Sequence, residues 1–564
     1  MSFFHPVLVL LVGIIVSIES YAQNLDGGNQ KTELVDPSWK AQLFPNMGPY
    51  QRRFSTASDE AQAYLNQGMV WLHAFNHDEA IRSFLKAAEL DPQCAWAWWG
   101  VAYCEGPNYN DPKPDANRSR AAWYALQNAL ARLGNASEVE RDLILALQSR
   151  YANPWPNDRS KLEKAYADAM AKVWERHPQD ADVGALYAES MMQLHPWALY
   201  SKKRQPIEGT LKIRGVLEKV MQLAPDHAGA KHLYIHAVEP SAHPEAALAV
   251  AQELNDLVPA SGHLMHMPSH IYIQTGDWQA AIDQNIKAVD SDIRYRRISP
   301  NQAMQLLYQA HNAHMLTFAA MMVGQESTAM KYAKKIWDIV PENEIAAKGQ
   351  AVDFSYMCVY DVQKRFGRWQ EILEMPEPPE SLLLTTAYWR AHRAIAFAAQ
   401  KKFYEAEEEY VKFLEAKTRF PKDDIAEGTF NHRVLEVSQQ FIRGEIAIQK
   451  KDWPAAIWHL EKAAEIEDTL RYTEPPYWLQ PVRHALGAVC LKSGDAAKAE
   501  EVYRQDLKVW KDNGWSLLGL SKALQAQGRD EEASQVLTKF EQIWSGADTK
   551  ELTTSCLCIE DVEE

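Results

Sequence analysis

The amino-acid sequence predicts an all-α protein, a solenoid of about ten or eleven helix pairs. Three observations predict it. No segment of the 564 residues alternates apolar and polar side chains with the period of a strand. Turn signals of one kind recur along the chain: Gly276-Asp277-Trp278, Gly324, FGRW (366–369), KKFYEA (401–406), KKDWPAA (450–456), KSGDAAKAE (492–500) and AQGRDEEA (526–533). Residues of one type also return at a fixed interval. Pro225 and Pro259, His232 and His266, and His236 and His270 each stand 34 residues apart, the length of one helix pair in a stacked array. A chain of this length exceeds one compact core, and stacking lets each pair bury its faces against its neighbours.

The N-terminus reads MSFFHPVLVLLVGIIVSIESYAQ. Its apolar run from Val7 to Ile18 is short for a bilayer span, and Ser20 and Ala22 supply small residues ahead of Gln23. We therefore expect a signal peptide over 1–22, a secreted or periplasmic protein and no transmembrane anchor. A polar linker follows over 23–55. The N-terminal repeat units occupy 56–115, irregular helical repeats with an insertion 116–225, central histidine-rich units 226–345 and C-terminal units 346–545. A disordered tail closes the chain over 546–564. Net charge is −16 with no basic block, which argues against nucleic acid as a partner. Of six cysteines, Cys94 and Cys104 are close enough in sequence to pair, and Cys556-x-Cys558 lies in the tail. The sequons at Asn117 and Asn135 matter only in a eukaryotic source.

From Ala61 the order is Gly68, Trp71, Ala80, Phe84, Ala87 and Pro92: small residues where helices cross, aromatics between them, proline at the end of the second helix. This pattern resembles the tetratricopeptide repeat (TPR) family. The stretches HAFNHDEA, HMPSHI and YTEPPYW further resemble a subgroup of secreted TPR proteins. The resemblance implies a right-handed superhelix and supplies no activity. A second unit begins at Trp96, Gly100 and Tyr103 and breaks at the GPNYNDPKPD loop. Helices are expected over 117–150 and 158–176, another from Pro178 to His195, then the insertion PWALYSKKRQP and a helix ending at Pro225.

The histidines carry the functional signal. With the inter-helix glycine at position 15, His232, His266 and His314 fall at position 5 of the first helix. His236 and His270 fall at position 9, and His263 and His311 at position 2. In TPR proteins these positions line the concave groove, so the resemblance implies groove-facing histidines. Residues i and i+4 share a helix face, making His232/His236 and His266/His270 potential chelating pairs, with Glu239 extending the first. Three nitrogen or oxygen ligands with an open position suit a zinc or copper centre. Met192 and Met321 would favour copper. Residues expected to line the groove for a ligand are His73, His77, Glu189, His195, Arg483 and His484. Arg390, His392 and Arg443 are further polar candidates for the interior.

Three readings stay open: a metal site, a groove gripping a protein, peptide or small ligand without metal, and packing. The expected function is a secreted scaffold whose groove binds such a partner, with a copper or zinc site in the central repeats. The alternative is an enzyme using that site, a copper oxidase or oxygenase or a zinc hydrolase. Imidazole titrates near neutral pH and would serve there as acid or base. No phosphate loop, HExxH, CxxCH or nucleophile elbow is present.

Overall fold

The computed structural model describes residues 41–299, 305–340, 353, 355–420 and 432–549. The expected signal peptide, the linker up to residue 40 and the tail beyond residue 549, with Cys556 and Cys558, lie outside the described residues. Among the described residues there is no strand, only isolated bridges at Asn108/Asp111 and Tyr200/Pro206. No described helix is long and apolar enough to cross a membrane. The chain divides into two compact units. Unit 1 runs to Met267 and includes Asp290–Gln305; unit 2 takes Pro268–Val289 and the chain from Leu306.

Unit 1 opens with a helix-free segment, residues 41–57, laid along the first helices. The helices that follow are α1 (Asp59–His73), α2 (His77–Leu90), α3 (Ala95–Cys104), α4 (Ala116–Ala131), α5 (Glu138–Gln148), α6 (Ser160–Arg176) and α7 (Ala181–Met192). Then come α8 (Thr210–Leu223), α9 (Ala228–Val238), α10 (Leu248–Leu254) and α11 (Gly262–His266). Sequential helices pack in antiparallel pairs, α1 on α2, α3 on α4 and α7 on α8. The first pair closes on Phe84 of α2: a Cβ at Gly68 or Gly100 would stand 2.6 or 2.5 Å from its ring, so α1 and α3 both need glycine there. The single helix expected over 117–150 is broken. A short 3-10 turn at Leu133–Asn135 ends α4's run, and Ser137 with Glu140 forms a capping box that starts α5 afresh.

Unit 2 contains α12 (Pro268–Thr275), the first part of α13 (Trp278–Ile298), α14 (Gln305–Met322) from Leu306 onward, and α15 (Glu326–Ile339). It continues with α16 (Cys358–Arg365), α17 (Trp369–Glu374), α18 (Leu383–Ala399), α19 (Phe403–Arg419), α20 (His432–Gln449), α21 (Trp453–Glu467), α22 (Val482–Lys492), α23 (Ala496–Val509), α24 (Gly514–Ala526) and α25 (Asp530–Ile543). Tyr503 of α23 repeats the role of Phe84, filling the space that Gly487 and Gly519 leave in α22 and α24. The turns expected from sequence are in place. Gly276, Gly324, Gly367, Gly494 and Gly528 take positive φ between the helices of a pair, and Lys401 and Lys451 take it where glycine is missing.

Cys94 and Cys104 are free and buried. They flank and end α3, so about ten residues of helix, roughly 15 Å, separate them, beyond the reach of a disulfide. That pairing is corrected.

Candidate metal centre

Three histidines of unit 1 face one another. His232 and His236 lie one turn apart on α9, and His263 lies on α11; all three are buried. One ring nitrogen from each lies within 4.8 Å of the others, and the Nε2 atoms of His232 and His263 stand 3.2 Å apart. Two nitrogens on one tetrahedral ion, with bonds of about 2.0–2.1 Å, would stand roughly 3.3–3.4 Å apart.

The neighbours fix which nitrogens are offered. His232 Nδ1 lies 2.7 Å from the carbonyl oxygen of His73 and donates to it, which leaves the Nε2 lone pair toward His263. His236 Nδ1 donates to Glu239 Oε1 at 3.0 Å, a carboxylate–histidine pair of the kind that orients metal ligands. Gly229 allows this arrangement, because a Cβ there would meet the His73 ring at 2.4 Å. Phe75, in the turn between α1 and α2, lays its ring 4.5 Å from His232, 6.1 Å from His263 and 6.3 Å from His236, centroid to centroid. Tyr109 and Trp197 each approach His236 at 5.4 Å. Phe75 and Trp197 both hold φ of +54°, a conformation costing a bulky side chain about 1–2 kcal/mol.

A second trio, His73, Asp182 and His227, sits behind the first, and its chemistry differs. The Ala230 amide donates to His227 Nδ1, so His227 Nε2 carries the proton and donates to Asp182 at 3.2 Å. Arg52 and Tyr50 of the N-terminal segment also bond Asp182, at 2.7 and 3.0 Å. Burial would raise the Asp182 carboxyl, but the histidine hydrogen bonds and Arg52 hold it well below the usual range, and burial pulls His73 down. This trio is an anion already neutralised, and it anchors the His73 carbonyl that orients His232.

The remaining expected residues are placed as follows. His266 is buried on α11 with its ring stacked 6.1 Å from His263. In unit 2, His270 on α12 pairs through Nδ1 with Glu474 of the YTEPPYW stretch, and its ring lies 5.8 Å from that of half-buried His311. His314 is buried on α14, where burial pulls it down to about 4. Met192 is buried on α7, and the Met321 carbonyl accepts from the Trp515 indole at 2.7 Å. His77 donates through Nδ1 to the Cys104 carbonyl at 2.9 Å and is pulled down to about 3 by burial and by Arg118. Glu189 accepts from Tyr103 at 2.8 Å, with burial raising its carboxyl. His195 is exposed, and Arg483 pairs with Asp468 at 2.7 and 2.8 Å. His484 is held between Arg365, 2.8 Å from Nδ1, and Asp506, 3.0 Å from Nε2. His392 sits 3.4 Å from Asp361, and Arg390 and Arg443 pair with Glu409 and Glu407.

Sequence reasoning missed Phe75, Tyr109, Trp197, Asp182 and His227. Only Phe75 left a signal, an aromatic at the turn position that glycine or lysine holds in unit 2.

The tetratricopeptide repeat family matches residues 61–94, which span α1 and α2. No curated protein matches. Among solved structures, the human IFIT1 dimer with PPP-AAAA is 15% identical over 86% of this chain and 91% of that one, with a TM-score of 0.30. Cut9, in the APC/C hetero-tetramer Cut9–Hcn1, is 12% identical over 96% of this chain and 80% of that one, with a TM-score of 0.27. Residues 61–94 thus match a tetratricopeptide repeat, and the described residues are helical throughout their regular structure, with a buried histidine cluster in unit 1.

Proposed function

We propose that the protein holds one first-row metal ion, zinc or copper, on His232, His236 and His263. The observation that carries this reading is the tautomer pattern. A backbone carbonyl and a carboxylate take the Nδ1 protons of His232 and His236, which turns their Nε2 lone pairs outward as ligands, and His263 lies 3.2 Å from the first. Three imidazoles that converge within 4.8 Å in a buried place are a donor set for one ion, with the spacing that metal–nitrogen bonds of about 2 Å need. The donor set fits zinc or copper, for which imidazole is a natural ligand, better than calcium or magnesium, which want oxygen. Glu239 would raise the basicity of His236, and the His73 carbonyl would fix the angle of His232. With the leader expected at residues 1–22 removed, this chemistry would operate outside the cytosol.

Elemental analysis of full-length protein purified without a histidine tag tests the reading. One equivalent of zinc or copper, lost in His232→Ala/His263→Ala with the helical circular dichroism retained, is the expected result. A wild-type protein that takes up neither metal on dialysis against both removes it.

A further inference from the structure

We propose that Phe75, Tyr109 and Trp197 form an aromatic box that keeps a water ligand off the three-histidine site and so makes it selective for monovalent copper; this rests on the metal reading above.

The box is marked by where the backbone is strained. The described non-glycine residues with positive φ are Asn46, Phe75, Trp197, Arg204, Asp256, Lys401, Lys451 and Asp512. Two of them are aromatic, and both lie against the histidine cluster. Phe75 occupies the inter-helix turn, the place held by Gly276, Gly324, Gly367, Gly494 and Gly528 in later pairs. Nothing in the turn itself calls for phenylalanine. A strained residue persists where the surroundings overdetermine it, and such residues gather at sites of function. Here the strained residue puts an apolar face against all three imidazoles. Trp197 meets His236 edge-on at 5.4 Å, and its indole is stacked on Tyr109 at 5.4 Å.

Coordination chemistry gives the box a consequence. Zinc bound by three imidazoles completes a tetrahedron with water or another donor. Cuprous ion, a closed-shell monocation, is content with three nitrogens in a plane and gains nothing from water. Charge favours the same ion. The Glu239 carboxylate, bonded to His236 Nδ1, brings negative charge to the site, and a monovalent ion needs less compensation in a buried place than a divalent one. Opening the box should therefore help zinc more than copper.

The test titrates full-length wild type, Phe75→Gly and Phe75→Leu with cuprous ion under ascorbate against bathocuproine disulfonate, and separately with zinc against a fluorescent chelator. Glycine suits positive φ, so Phe75→Gly is expected to fold; Phe75→Leu keeps bulk and serves as the control. We expect one cuprous ion per wild-type chain, bound tighter than zinc. The copper-to-zinc affinity ratio should fall at least tenfold in Phe75→Gly and less than threefold in Phe75→Leu. A ratio unchanged in Phe75→Gly, or a wild type that prefers zinc, overturns the box and leaves the metal reading standing. A wild type that binds neither ion overturns both.

Discussion

His232 on α9 of unit 1 and His484 on α22 of unit 2 both lie in the first half of a helix, and both are wholly buried. Their surroundings give them opposite chemistry. His232 meets another imidazole at Nε2 and a backbone carbonyl at Nδ1, both neutral groups. His484 is clamped between a guanidinium and a carboxylate, so Nδ1 accepts from Arg365 and Nε2 donates to Asp506. Ser516 and Asn513 also donate to that carboxylate, at 2.7 and 2.9 Å, and burial pulls Arg365 down to about 9. On the proposed metal reading the first histidine is a ligand, whereas the other is the middle of a closed relay. Register decides which face of a helix a residue occupies; its partners across the interface decide what it does.

The largest predicted effect breaks the relay. His484→Ala leaves Arg365 and Asp506 buried without their bridge, which should cost about 3–5 kcal/mol of stability. Thermal melting would read this as a large drop, with metal content per folded chain unchanged. Equal loss of metal would merge the two regions that the comparison separates.

A smaller effect comes from acid. His314 of unit 2 has a folded pKa of about 4 against 6.5 in the unfolded chain. Between those values the unfolded chain binds more protons, so stability is full above pH 6.5 and declines as pH falls toward 4. The loss from this group alone is about 3 kcal/mol. Denaturant unfolding at pH 7 and pH 4.5 should show a shallower acid loss in His314→Gln than in wild type. Parallel losses would assign the acid sensitivity to other groups, His77 among them.

The smallest prediction sharpens the unit 1 side. Glu239→Gln keeps an acceptor for His236 Nδ1 and removes the charge, so metal affinity should fall about 10–100-fold with little change in stability. An unchanged affinity would reduce Glu239 to a helix-end residue.

Much of this was legible in the sequence. The helix pairs were, because glycine at Gly276, Gly324 and Gly494 and the crossing residues around Phe84 report local geometry. The break after α4 was not, since Gly134 and the Ser137 cap were submerged in a long apolar-periodic run. The repeat spacing put His232, His236 and His263 on one face, but seven histidines shared that signal. What singled out three of them is non-local: the His73 carbonyl comes from 159 residues away, and the Asp182 carboxylate behind it from another helix. Phe75 could have been suspected, as the aromatic at a glycine position. Trp197, in an insertion, could not.

The central claim is that three imidazoles of unit 1 share one ion. X-ray absorption at the metal edge of the natively purified protein tests it most directly. The predicted spectrum has three imidazole nitrogens at about 2.0 Å, with the outer-shell scattering of imidazole reduced in His263→Ala. A first shell dominated by oxygen or sulfur, or a spectrum indifferent to His263→Ala, would contradict the account.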